Sequence, residues 1–188
     1  MFDATRNRIA ARMRRLMQGR LARRFVRQQD GAAAVEFALV AAPFLALTFA
    51  ILETAMVFFA GQTLEAAAAD SARLIMTGQA QSAGFSQAQF KTAVCARIYG
   101  LFDCANGLYV DVKSYSSFAA VNTAPPITNG QFNNTTTYSP GDVGDIVVVS
   151  LYYQWPVYVS MLGNNLANVS GGNRLLAATA VFRVEPYH

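Results

Sequence analysis

Residues 31–60, GAAAVEFALVAAPFLALTFAILETAMVFFA, are the one stretch apolar enough to cross a bilayer, and the chemistry of the chain changes on either side of it. A helix over residues 37–60 rises about 36 Å at roughly 1.5 Å per residue, enough for a hydrocarbon core of about 30 Å. From Phe37 to Leu52 there is no charge and one hydroxyl, Thr48. Twelve of the 24 residues from 37 to 60 are Leu, Ile, Val or Phe. Their summed insertion free energy, about −4 to −7 kcal/mol, outweighs the roughly +3 kcal/mol of one central acid. Residues 32–60 therefore read as a transmembrane helix.

Two acids in or beside such a span require a reason, because intramembrane ionisable groups are expensive and usually functional. Glu36 reads as a headgroup-level residue near the helix start, where its charge favours the helix dipole. Glu53 reads as the outer boundary of a shorter span. Pro43 removes one backbone donor and is expected to kink or locally unwind the helix.

The net charge of +4 conceals an asymmetry. Nine of the fifteen basic residues are arginines between Arg6 and Arg27, whereas from Ala32 onward six basic residues face nine acidic ones, a net of −3. Basic flanks stay in the cytoplasm, so the N-terminus is expected inside and the body outside. Residues 6–27 place Ile9, Met13, Leu16, Met17, Leu21 and Phe25 at helical spacing with arginines elsewhere, as suits a helix on an anionic leaflet. A nucleic-acid arm is the sharper reading of this charge, but aromatic interleaving is poor and membrane tethering accounts for the arginines. A signal peptide with cleavage near Ala67, Ala68 and Ala69 is a rival, but its apolar core would be too long.

Beyond residue 60 the helical pattern continues, with Leu64, Ala68, Ala72 and Ile75 on one side and Gly78 and Gly84 as stops. One helix from about residue 33 to 79 is expected. Ser86 caps a second, SQAQFKTAVCARIYGLF, striped by Phe90, Val94, Ile98 and Leu101. Cys95 and Cys104, nine positions apart in an extracytoplasmic body, read as a disulfide, with two buried free thiols as the alternative. Alternation over 108–115 marks a strand, residues 116–143 a long exposed loop, and DIVVVSLYYQW (145–155) the strongest strand. A turn or short helix through Leu162 and a last strand over 174–185 complete the body. The fold class expected is α+β: a long N-terminal transmembrane helix packed with a second helix on one face of a small antiparallel sheet.

The sole histidine is His188, which leaves no credible His-based triad or general base. No phosphate-binding loop, paired-cysteine zinc motif or calcium loop appears. Asp142 and Asp145 flank a glycine-rich turn that explains them without a metal. The chain reads as structural, with no cofactor and no metal.

At GAAAVEF, residues 31–37, a family pattern emerges. Gly31, four apolar positions, Glu36 and Phe37 resemble the processing site of Tad/Flp-type pilins and pseudopilins. The following apolar helix, AAAADSARLIMTGQA, the segment with Cys95 and Cys104, and the closing LLAATAVFRVEPY are similar to the TadE-like family of Tad pilus assembly proteins. Such a resemblance implies a pilin-like fold and cleavage after Gly31 by a membrane-embedded prepilin peptidase, leaving Ala32 as the new N-terminus. Residues 1–31 would be a basic cytoplasmic leader, 32–60 the transmembrane helix, and 61–188 an extracytoplasmic α+β domain with the helix continuing to about 80. Glu36 would pair with the freed amine of a neighbouring subunit, which makes a buried carboxylate tolerable. Pro43 and Glu53 also match family positions, without an evident mechanistic role. About 100 residues beyond the helix favour a minor pilin or pseudopilin over the main filament subunit. Implied partners are the peptidase, other Tad pilins and pseudopilins, and the inner-membrane assembly platform. The implied location is the bacterial inner membrane, single-pass, with the body periplasmic, or within or at the tip of an extracellular pilus that supports adhesion. The reading from a different class is an uncleaved membrane anchor carrying an extracytoplasmic binding or adhesive domain.

Overall fold

The computed structural model describes residues 30–98, 100, 102–159 and 165–187. Residues 1–29 of the basic leader with the expected surface helix, Leu101 of the expected apolar stripe, residues 160–162 of the turn expected through Leu162, and His188 lie outside the described residues. Two compact units divide between Thr48 and Phe49.

Helix α1 is assigned over Asp30–Met76. Up to Thr48 its large apolar side chains, among them Val35, Phe37, Leu39, Val40, Phe44, Leu45 and Leu47, are all exposed. A helix with so much uncovered apolar surface belongs in an apolar medium or against partner helices. Pro43 does not unwind it: the helix is unbroken through this position. The ring removes a single N–H, and the ladder on either side continues.

From Phe49 onward α1 acquires a buried face. Ala50, Val57, Ala60, Leu64, Ala67, Ala68, Ser71, Ala72 and Ile75 are buried, the three- and four-residue spacing of a helical stripe. Ser71 is tolerated there because its hydroxyl donates to the Ala67 carbonyl four residues back. The helix ends at Met76, and Gly78 follows at φ +73°, the left-handed conformation that stops helices.

A short helix, α2 (Gln79–Ser82), leads to α3 (Gln87–Cys95), which opens with a complete capping box between Ser86 and Gln89. α3 is shorter than its apolar stripe suggests. The Cα atoms of Cys95 and Cys104 are 5.7 Å apart, whereas nine helical residues would separate them by about 13 Å. Turns after Cys95 bring the chain back, and α4 (Cys104–Gly107) leads into the sheet.

Strands β1 (Leu108–Tyr115), β4 (Ile146–Pro156) and β5 (Asn173–Arg183) form an antiparallel sheet in the order β1-β4-β5. Leu108 pairs with Tyr153, and Ile146 with Arg183. Central β4 is covered on both faces, which explains its nearly continuous apolar run. Val147, Val149 and Leu151 join Leu64, Ile75, Phe90 and Val94 in the main core, so α1 and α3 lie on one face of the sheet. Tyr152 on the other face packs with Leu175, Val169, Tyr109 and Phe132.

Residues 116–143, expected as a loop, are partly organised. Between β1 and β4 they hold a 3-10 turn (Phe118–Ala120) and a small hairpin of β2 (Ile127–Thr128) and β3 (Gln131–Phe132). Its tip, Asn129-Gly130, has positive φ at both positions, as a two-residue hairpin turn of this type requires. The same segment closes the outer edge of β1: Val112 donates to Thr137 O and Ser139 donates to Val112 O. The architecture is α+β and pilin-like: a long N-terminal apolar helix, smaller helices and a small antiparallel sheet.

Candidate functional site

Gly31, Ala32, Glu36 and Phe37 lie in the first two turns of α1, and all four are exposed. Among the described residues a Cβ at Gly31 would meet nothing within 4 Å, so no packing among them demands glycine there. Phe37, at 75 % exposed, is uncovered despite being aromatic. Among the described residues Glu36 has neither a hydrogen-bond nor an ion-pair partner. Ala32 and Glu36 are four residues apart and share a helix face. This end of α1 offers a carboxylate and a ring to whatever surrounds it. Pro43 is likewise exposed, within the apolar run.

Glu53 has a different environment. It continues the buried stripe of α1 backwards, four residues before Val57 and three after Ala50, and so faces the body. Its carboxylate accepts the backbone N–H of Tyr158 through Oε1, and that of Val159 through Oε1 and Oε2, both at 3.0 Å. These donors have no strand partner. The β4 to β5 ladder ends where Pro156 pairs with Asn173, and the Val157 N–H donates to Gly172 O. The next two N–H groups go to Glu53. An acid in an apolar run and two amides beyond the end of a ladder satisfy one another. A sequence search for charge partners misses this, because backbone donors have no residue type. The stripe of Leu64, Ala68, Ala72 and Ile75, extended towards the N-terminus, does lead to Glu53.

Cys95 and Cys104 are joined as a disulfide that ties the end of α3 to the start of α4. Lys91 strengthens the same corner by donating to Ala105 O at 2.8 Å. Among the described residues no group of three or more His, Cys, Asp or Glu side chains could hold a metal ion.

Helix α1 is the one described helix long and apolar enough to cross a membrane, and no part of its most apolar window is buried. No curated protein and no solved structure matches the chain. The family described as TadE-like protein matches residues 31–73, a segment that begins at Gly31 and ends within the buried stripe of α1. Over residues 31–73 the chain is similar to this family, which suggests a Tad pilus-associated protein with an N-terminal apolar helix.

Proposed function

We propose that this chain is a minor pilin or pseudopilin of a Tad (Flp-type) pilus, cut after Gly31 by a prepilin peptidase and needed for pilus assembly and the adhesion that depends on it. The observation that carries the reading is the TadE-like match beginning at Gly31 on a helix whose first turns are exposed among the described residues. Glycine at the scissile position leaves room for extended backbone to enter a narrow active site. Ala32 becomes the N-terminus, and its amine is available to the Glu36 carboxylate of a neighbouring subunit. Such a pair offsets part of the cost of holding both charges in lipid. Before assembly, residues 32–60 anchor the chain in the inner membrane, with the arginine-rich leader cytoplasmic and the body periplasmic. The implied partners are the peptidase, other Tad pilins and pseudopilins, and the assembly platform. A structural role suits the absence of a His-based catalytic group from the sequence.

The test is the N-terminal residue and intact mass of the protein from its native membrane fraction, together with pilus counts in a Glu36→Ala strain. A chain beginning at Ala32 and loss of pili in the variant are expected. A chain beginning at Met1 in the presence of the peptidase would remove the pilin reading and leave an arginine-tailed membrane anchor. Wild-type pili in Glu36→Ala would remove the assembly role of the carboxylate.

A further inference from the structure

The clamp between Glu53 and the end of β4 fixes how deep the body reaches along α1. On the face of α1 turned away from the body, Ile51, Leu52, Met56, Phe58 and Phe59 are exposed, and the surface becomes polar only at Gln62 and Glu65. The apolar outer face therefore extends at least as far as Phe59. Glu53 lies six residues before Phe59, about 9 Å of helical rise towards the apolar end. Tyr158 and Val159 are bonded to the Glu53 side chain, so they sit below the apolar-to-polar boundary of the helix that holds them. Tyr158 is 83 % exposed there.

From this geometry we infer that the segment of Val157, Tyr158 and Val159 is immersed in the outer interfacial layer of the bilayer, and that Glu53 makes the immersion possible. The inference rests on the proposal that residues 37–60 cross a membrane. The occupant of the surface is lipid, because the bilayer that covers exposed Phe58 and Phe59 also surrounds whatever part of the body packs on the other face of the helix at that depth. Tyrosine suits the level, with an apolar ring and a hydroxyl that reaches the headgroups. Irregular backbone is excluded from lipid unless its polar groups are satisfied within the protein. Beyond the β4 to β5 ladder, Glu53 accepts the two amides that would otherwise be bare. The segment in turn supplies donors to a carboxylate that the apolar helix cannot. Glu53 is thus a positioning residue for a membrane contact.

The test uses the full chain, one copy per phosphatidylcholine nanodisc, with a polarity-sensitive nitrobenzoxadiazole label on a single introduced thiol. Cys95 and Cys104 are paired and do not compete for it. A label at Tyr158→Cys is expected to emit at blue-shifted wavelength and to be quenched by lipids carrying a nitroxide near the headgroup. A label at exposed Phe118→Cys should behave as in water, and one at Phe44→Cys should be quenched by a nitroxide deep in the acyl chain. If position 44 is unquenched, the membrane span itself is wrong. If position 44 is quenched and position 158 is water-like, the span stands and this inference falls. A blue-shifted but unquenched label at 158 means that protein covers the site, which also overturns it. Adding Glu53→Leu, which keeps the helix insertable, should abolish quenching at 158 and leave the label at 118 unchanged. Glu53→Gln, which retains a carbonyl acceptor, should preserve it. Quenching that persists in Glu53→Leu, or that vanishes equally in both variants, would overturn the role of the carboxylate.

Discussion

Gly78 lies against the ring of Tyr187, so closely that a Cβ at position 78 would overlap ring atoms. The contact fastens the C-terminal segment to the end of α1, where Glu185 donates its N–H to Met76 O at 2.9 Å. Two penalties follow for any side chain at 78. The backbone is left-handed, φ +73°, which costs a non-glycine residue about 1–2 kcal/mol, and the ring must also move. Gly84 separates the two effects, since it is left-handed too, φ +62°, but faces open space. Gly78→Ala is therefore expected to lower the melting temperature of the detergent-solubilised chain clearly more than Gly84→Ala. Equal losses would mean that the contact with Tyr187 contributes nothing.

The disulfide closes a loop of about ten residues, for which chain entropy gives roughly 2.5–3 kcal/mol of stabilisation. Replacing Cys95 and Cys104 together by serine should lower stability by that order, with the loss concentrated where α3 hands over to α4 and β1. Hydrogen exchange resolved by residue would show it: amides over 91–98 and 102–108 should exchange faster, and those of central β4 should change least. Uniform loss of protection, or none, would contradict a local staple.

Asp111 sits on the sheet face away from the helices, 6 % exposed, beneath the chain that closes the edge of β1. Its Oδ1 accepts both the N–H and the hydroxyl of Thr137, at 2.7 and 2.8 Å, while Oδ2 pairs with Lys113 at 2.7 Å. Asp111→Ala removes both charge-assisted bonds to Thr137 and the ion pair with half-exposed Lys113, and is expected to destabilise by about 2–3 kcal/mol. Residues 116–143 should become a preferred site of proteolytic nicking. Protease resistance equal to that of the parent would show that the segment is held mainly by Phe132 on Tyr109 and Tyr152.

Parts of this fold are legible in the sequence, and others are not. Leu108, Val110 and Val112 alternate, and β1 occupies the segment they mark. Central β4 is legible as an unbroken apolar run because both its faces are covered. The hairpin of β2 and β3 is hidden by its brevity, two residues a side, although Asn129-Gly130 is a turn signal that could have placed it. The early end of α3 is hidden because the geometry of a cysteine pair, not propensity, ends the helix. Glu53 is the instructive case at the candidate site. Spacing places it on the buried stripe, but its donors lie 105 and 106 positions away and are backbone groups, so no residue pattern announces them. At the exposed end of α1 the reverse holds: Glu36 and Phe37 are conspicuous in sequence, while among the described residues Glu36 has no hydrogen-bond or ion-pair partner and Phe37 is uncovered.

The hydroxyl of Tyr138 is buried. Its ring packs near Phe90, with centroids 5.7 Å apart, and the hydroxyl has no hydrogen-bond partner among the described residues. Burial pushes its pKa above the ordinary value of 10.0. The unfolded phenol therefore ionises first as pH rises, so this contribution is complete below about pH 10 and is lost as pH climbs through the raised folded value. Lys113 acts in the same direction: its hydrogen bond to Asp111, only partly opposed by burial, raises it above 10.5. Its contribution is likewise present below the unfolded value and lost through the folded one. Stability should fall on the alkaline side, and Tyr138→Phe should remove part of that fall while leaving the Lys113 part. At pH 7 the substitution also deletes an unsatisfied buried hydroxyl, so the variant should be at least as stable as the parent. Urea midpoints at pH 7 and pH 11 measure both effects. A loss of about 1 kcal/mol or more in Tyr138→Phe at pH 7 would mean that the hydroxyl is bonded in solution. An undiminished alkaline fall would mean that its ionisation is not coupled to folding.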